Sequence, residues 1–239
     1  MDTKLRLPAQ PPAALPPGAI EVTPVGRHHE RIGDDLAVTL AWVRDYVGQP
    51  SPELGRSGPV CPFVLPSLQN GAMRLRFHYG VDCTDKDRTR ALLIEELKSF
   101  AALSEPPGRS GNSLDSVLVV LPDAGPAGWS LIDDLYPELK AAAVSMGLMV
   151  GQFHPDCDER AVHNGSFRVS KAPVCVIAVR HMALHDVLFL REKRRDFEAY
   201  WRRFGEHYAG DRVRDALLRR LYAKATEDFL PGARGGDAG

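Results

Sequence analysis

The segment GQFHPDCDERAVHN, residues 151–164, places His154, Cys157, Arg160 and His163 among Asp156, Asp158 and Glu159, directly after the apolar run Leu148-Met149-Val150. An imidazole where an apolar run turns polar stands at a strand's carboxyl end, where open α/β sheets carry their working groups. Pro155 has no N–H and cannot extend a ladder, so the chain must turn just past the ring. Imidazole and thiolate are preferred ligands of zinc. His154, Cys157 and His163 form the spacing H-x2-C-x5-H, which matches no common zinc finger but would suit a zinc-dependent hydrolase. The same histidines also fit a cofactor-free binding or regulatory module, in which each ring is simply hydrogen-bonded in its loop.

Other chemistry-bearing residues are scattered. In RHMALHD, His181 and His185 are four apart and would share a helix face, but a zincin helix needs a glutamate after its first histidine and Met182 stands there. Cys61 in GPVCPF has no neighbour in sequence that would lower its pKa, and a cysteine in that setting packs as a small hydrophobe. GRSGNS (108–113) leads into a strand, whereas a phosphate cradle must open a helix. In REKRRDFEAYWRRF (191–204) arginines alternate with aromatics, yet Glu192, Asp196 and Glu198 are mixed in, which describes an ion-paired helix face.

Elements must position these groups. DDLAVTLAWVRDYV (34–47) carries Leu36, Leu40, Val43 and Val47 at helical spacing, with Asp34 or Asp35 available as a cap. After a Gly/Pro/Ser loop, MRLRFHYGV alternates as a strand and TDKDRTRALLIEELKSFAAL resumes the helical period behind a Thr84 cap. DSVLVVLP, LMVGQFHP and APVCVIAVR predict strands, WSLIDDLYPELKAAAVSM a helix, ALHDVLFL a short amphipathic piece, and the stretches 195–208 and 211–230 charged amphipathic helices. Strands alternating with helices predict an α/β fold, with α+β as the variant: a mainly parallel or mixed central sheet with helices packed on it, in one domain. That domain is expected over residues 31–230, between a disordered proline-rich arm (1–30) and a disordered tail (231–239).

Composition narrows the partners. The 239 residues include 30 basic and 31 acidic side chains, a net charge of -1, so nothing electrostatic argues for nucleic acid or an anionic membrane. No run approaches the roughly 20 apolar residues of a membrane helix. The four cysteines, Cys61, Cys83, Cys157 and Cys175, lack a CxxC pair and the amino-terminal stretch has no signal-peptide core, which predicts free thiols in the cytoplasm.

Taken together, Cys61-Pro62-Phe63 after the first helix, Phe153-His154-Pro155 after a central strand, then Arg160, Asn164, Phe167, Ala172-Pro173, Arg180-His181-Met182 and Phe189-Leu190 form a pattern. It resembles the small bacterial heme-dependent N-oxygenases, over roughly residues 35–195. Within that set it is most similar to the members that make N-omega-hydroxy-L-arginine in D-cycloserine antibiotic biosynthesis. The resemblance implies non-covalent heme b, an oxidoreductase that inserts one oxygen atom into an N–H bond of the L-arginine guanidino group, and O2 with an electron-donor protein, or peroxide, as co-reactant. It implies His154 as the iron ligand, Cys61 as its rival and His181 as third choice. Phe63, Met149 and Phe153 would then cover the porphyrin, Arg160, Arg168 and Arg180 would pair with propionates, and Asp156 and Glu159 would hold the substrate's guanidinium.

Overall fold

The computed structural model describes residues 20–25, 29–103, 114–210 and 212–230. The expected tail, most of the expected arm and the GRSGNS loop lie outside the described residues. Among the described residues the architecture is α/β, a mixed sheet with seven helices packed on it in a single body. Its strands run in the order β1 (Ile20–Val25), β2 (Met73–His78), β3 (Ser116–Leu121), β7 (Cys175–His181) and β4 (Leu148–Phe153). The first three are parallel, and β7 lies antiparallel between β3 and β4. One boundary of the sequence reading changes. Ile20–Val25 falls inside the expected arm but pairs in parallel with β2 over six residues, because IEVTPV supplies β-branched residues and keeps its proline on a sheet edge.

Each face of the sheet buries its own set of side chains. On one, Val117, Val119, Leu121, Ile177 and Val179 pack beneath α3 (Lys86–Leu103) and α4 (Pro126–Ser145). On the other, Leu118, Val120 and Val176 pack beneath α1 (Ile32–Trp42), which runs on into a π turn at Val43–Val47, and α2 (Val64–Gln69). A third cluster joins α5 (Val187–Leu190), α6 (Arg194–Ala209) and α7 (Ala216–Phe229) around Phe197 and Tyr200. Two local features escaped the sequence reading: α2, whose six residues are too few for a period, and the hairpin of β5 (Arg160–Ala161) and β6 (Asn164–Arg168). The caps also shift. Helix α1 starts at Ile32 with no side-chain cap, so Asp34 and Asp35 lie in its first turn, and at α3 it is Asp85, not Thr84, whose carboxylate accepts the Arg88 N–H at 3.0 Å.

Helix α4 positions the site described below, and its start is tightly seated. A Cβ on Gly128 would stand 2.2 Å from the Asp82 carbonyl oxygen and 3.0 Å from Cys83 Cβ, so only glycine lets the helix approach the loop after β2. Gly128→Ala is expected to push α4 outward and cost about 1–3 kcal/mol, the usual penalty of overpacking. A urea midpoint unchanged from wild type would contradict this packing.

Candidate functional site

Trp129, Ile132, Asp133 and Tyr136 lie one, three or four residues apart along α4 and share the face that meets β4. Ile132 is fully buried, the Tyr136 hydroxyl donates to the Val150 carbonyl at 3.0 Å, and the Trp129 indole N–H donates to the Ala124 carbonyl. Asp133 is therefore held opposite the end of β4. Its Oδ1 accepts from Gln152 Nε2 at 2.9 Å and lies 3.1 Å from His154 Nε2. The His154 ring is 1% exposed and stacks on Trp129, centroids 5.9 Å apart and planes at 22°. Beyond Pro155 the chain turns, the Cys157 N–H donating to the His154 carbonyl at 3.2 Å, and this carries the buried Cys157 thiol back to 3.9 Å from the Gln152 carbonyl.

The turn assembles three potential metal donors. Oxygen of Asp133, nitrogen of His154 and sulfur of Cys157 all lie within 4.8 Å of one another. Two further buried atoms, His154 Nδ1 and Gln152 Oε1, have no hydrogen-bond partner among the described residues. Buried polar atoms without partners are rare, because desolvation costs about 1–3 kcal/mol each. Around Cys157 the environment favours a cation over a free thiolate. Burial pushes its thiol up to about 11, and the carboxylates of Asp133, Glu159 and Asp158 add to the effect. That setting is unsuited to a cysteine nucleophile.

The remaining sequence candidates do not gather here. His163 is exposed in the turn between β5 and β6 against Gly55, so the expected His154–Cys157–His163 set is corrected: Asp133 occupies the place given to His163. Arg160 donates to Asp158 at 2.6 Å, and Arg168 reaches both Asp158 (2.7 Å) and Asp156 (3.7 Å), so loop arginines pair with loop acids. The Arg160 hydrogen bond, first among its causes, holds the Asp158 carboxyl below the usual range. Asp156 and Glu159 are exposed. Arg180 pairs with Met149 across the ladder, five residues back from His154, which places it about 16 Å away and on the opposite face of the sheet. His181 shares the His154 face but pairs with Leu148, further still, and its ring meets Phe100 at 5.2 Å. Burial pulls its pKa down.

At that far end a second cluster forms. The Arg180 guanidinium makes a two-point ion pair with fully buried Asp186 (2.6 and 2.7 Å) and lies 4.3 Å over the Phe63 ring, which stacks on His185 at 4.9 Å. Burial raises the half-buried Cys61 thiol, with Arg180 opposing. His154, Cys61, Arg160, Arg180 and His181 thus occupy two ends and two faces of the sheet. They do not converge on one porphyrin.

A family model, described as a domain of unknown function (DUF6875), matches residues 36–215. The chain belongs to the DUF6875 family. The match contains Asp133, His154 and Cys157 at one end of the sheet and Cys61, Phe63 and Arg180 at the other. Comparison with curated proteins finds no match. Comparison with solved structures finds none either. Among the described residues, no helix is long and apolar enough to cross a membrane.

Sequence reasoning missed Asp133, which carries no local signal: it and Asp134 are both exposed between buried Ile132 and Leu135, as acids on a helix's polar flank ordinarily are. Nothing in the sequence says which strand that flank meets.

Burial pushes the Cys83 thiol, like that of Cys157, up to about 11 from an ordinary value of about 9. A thiol raised in the folded state stabilises the fold below its unfolded value, and that contribution is lost as pH rises through the folded one. Stability to urea is therefore expected to fall between pH 9 and pH 11, less steeply in Cys157→Ala than in wild type. Equal slopes in the two proteins would contradict the burial of this thiol in solution.

Proposed function

We propose that this DUF6875 protein is a metal-dependent enzyme of the mononuclear Lewis-acid type, with Asp133, His154 and Cys157 as its protein ligands. One observation carries the reading: three donors of different type converge beside two buried polar atoms that have no partner among the described residues. The three donors lie within 4.8 Å of one another, a spread that a bound ion would draw in. Zinc bonds of about 2.0–2.1 Å to nitrogen and oxygen give a tetrahedral edge of about 3.3 Å, close to the 3.1 Å between His154 Nε2 and Asp133 Oδ1. With three protein ligands a fourth position is left for water or substrate, reached past Asp133, whose side chain is 44% exposed. A divalent ion bound there would acidify a coordinated water and polarise a carbonyl or phosphoryl oxygen.

The chain's own residues supply the rest. Gln152 donates to Asp133 and fixes the direction of its carboxylate, a supporting role whose loss typically weakens metal binding about 10–100-fold. Trp129 covers one face of the imidazole and excludes water from it. Deprotonated Cys157 would be stabilised by the ion itself, which offsets the burial that keeps the free thiol protonated. A reducing cytosol suits such a ligand set, since all four cysteines are free.

The test is metal stoichiometry. Reduced protein is expected to bind one equivalent of zinc, Gln152→Leu to bind it about 10–100-fold more weakly, and His154→Ala and Cys157→Ala more weakly still. Wild-type affinity in His154→Ala would end the proposal.

Heme-dependent N-oxygenation of L-arginine is a second reading, favoured by a different observation: Cys61-Pro62-Phe63 and Arg180-His181-Met182, two of the elements that carry the resemblance, meet in one cluster. In this form the heme reading uses Cys61, with Arg180 to favour its thiolate, and leaves His154 to the metal centre. Protein expressed with ample iron and heme precursor is expected, on this reading, to show a Soret band that Cys61→Ala removes. Colourless protein binding one zinc would retire it.

A further inference from the structure

One cation stands beside His154 without a partner of its own. Just past the end of β4 an isolated bridge sets His154 against Lys171 in parallel, and the Ala172 N–H donates to the His154 carbonyl at 3.3 Å. Residues bridged in parallel share a face, so the Lys171 side chain leaves the backbone on the same side as the imidazole. Alternation agrees: Ala172, the next residue, is buried in the cluster on the α1/α2 face, which turns Lys171 toward the α3/α4 face. Neighbouring strands lie about 4.8 Å apart, and the four-carbon lysine stem carries its ammonium at least as far from the backbone as the ring reaches. The backbone at this point is held, since the Trp42 indole N–H donates to the Lys171 carbonyl at 2.9 Å.

Lys171 is half-buried, and its ammonium makes no ion pair or hydrogen bond among the described residues. The acids at 156 and 158 are already engaged, Asp158 by Arg160 and Arg168 and Asp156 by Arg168. Asp133 and the Cys157 thiolate would together neutralise a divalent ion, so the Lys171 charge is not needed to balance the centre and is left for a ligand. We propose that Lys171 binds an anionic oxygen of the substrate, so that the centre acts on a carboxylate or phosphate group, with one oxygen on the ion and another on the ammonium. The contact to the ion rests on the metal reading, whereas the contact to Lys171 is testable without it. An ammonium is a compact point charge with three rotatable donors, which suits an oxygen whose direction the ion has already set.

The experiment titrates inorganic phosphate and acetate, at constant ionic strength, into reduced full-length protein with and without zinc, and follows binding by calorimetry. Zinc-loaded wild type is expected to bind at least one of the two, and the tighter names the substrate's group. Lys171→Gln is expected to bind that anion about 10–100-fold more weakly, as the loss of one hydrogen bond to a charged group predicts. The same variant should keep its equivalent of zinc at wild-type affinity or better, because it removes a like charge from beside the ion. Lys171→Arg should restore most of the anion affinity. With zinc bound, anion affinities that are equal in wild type and Lys171→Gln, or no binding of either anion, would overturn the proposal and leave the metal centre standing. Parallel losses of zinc and anion affinity in Lys171→Gln would mark Lys171 as a support of the fold and overturn it too. If reduced wild type binds no zinc, the metal reading fails, and the Lys171 site is upheld by anion binding that Lys171→Gln weakens and overturned by its absence.

Discussion

One carboxylate oxygen, Oδ1 of Asp133, ties the longest helix to the end of an edge strand. It meets both Gln152 and His154, which lie two apart and so on one face of β4, and their geometry is possible only if α4 keeps its depth and rotation over the sheet. Several contacts enforce that placement. Gly128 lets the helix start against the loop after β2, Tyr136 grips the Val150 carbonyl, and Arg203 of α6 donates to the Met146 carbonyl just past the helix's last turn. The site is therefore a consequence of packing along 20 residues of helix, and a displacement anywhere along α4 would be felt at His154.

Much of the fold was legible because its periods are long. Strands β2, β3, β4 and β7 and helices α1, α3, α4, α6 and α7 each span enough residues for a two- or 3.6-residue pattern to stand out. What escaped was short or depended on distant partners. Helix α2 has a single turn and a half, the β5–β6 hairpin mixes exposed and half-buried positions, and β1 sits in a segment whose prolines suggested disorder. The antiparallel insertion of β7 between β3 and β4 is a tertiary fact with no local signature, yet it decides which residues flank His154.

The site was half legible for the same reason. His154 and Cys157 are three residues apart around a proline turn, so their proximity could be read directly. Asp133 comes from 21 residues upstream, and only the packing of α4 against β4 brings it to the same ring. His163 joined His154 and Cys157 as a candidate by its ligand type, but the hairpin carries it away to the exposed turn. The Cys-Pro-Phe element and Arg180 do meet, at the opposite end and on the opposite face from His154, so two sets of residues that look continuous along the chain belong to separate places in the molecule.

The most direct test of the metal centre is X-ray absorption at the zinc edge of reduced, zinc-loaded protein. Three ligands of the proposed types predict one sulfur at about 2.3 Å together with nitrogen and oxygen at about 2.0–2.2 Å, and loss of the sulfur shell in Cys157→Ala. A zinc shell without sulfur in the wild type would contradict the assignment of Asp133, His154 and Cys157 as one centre.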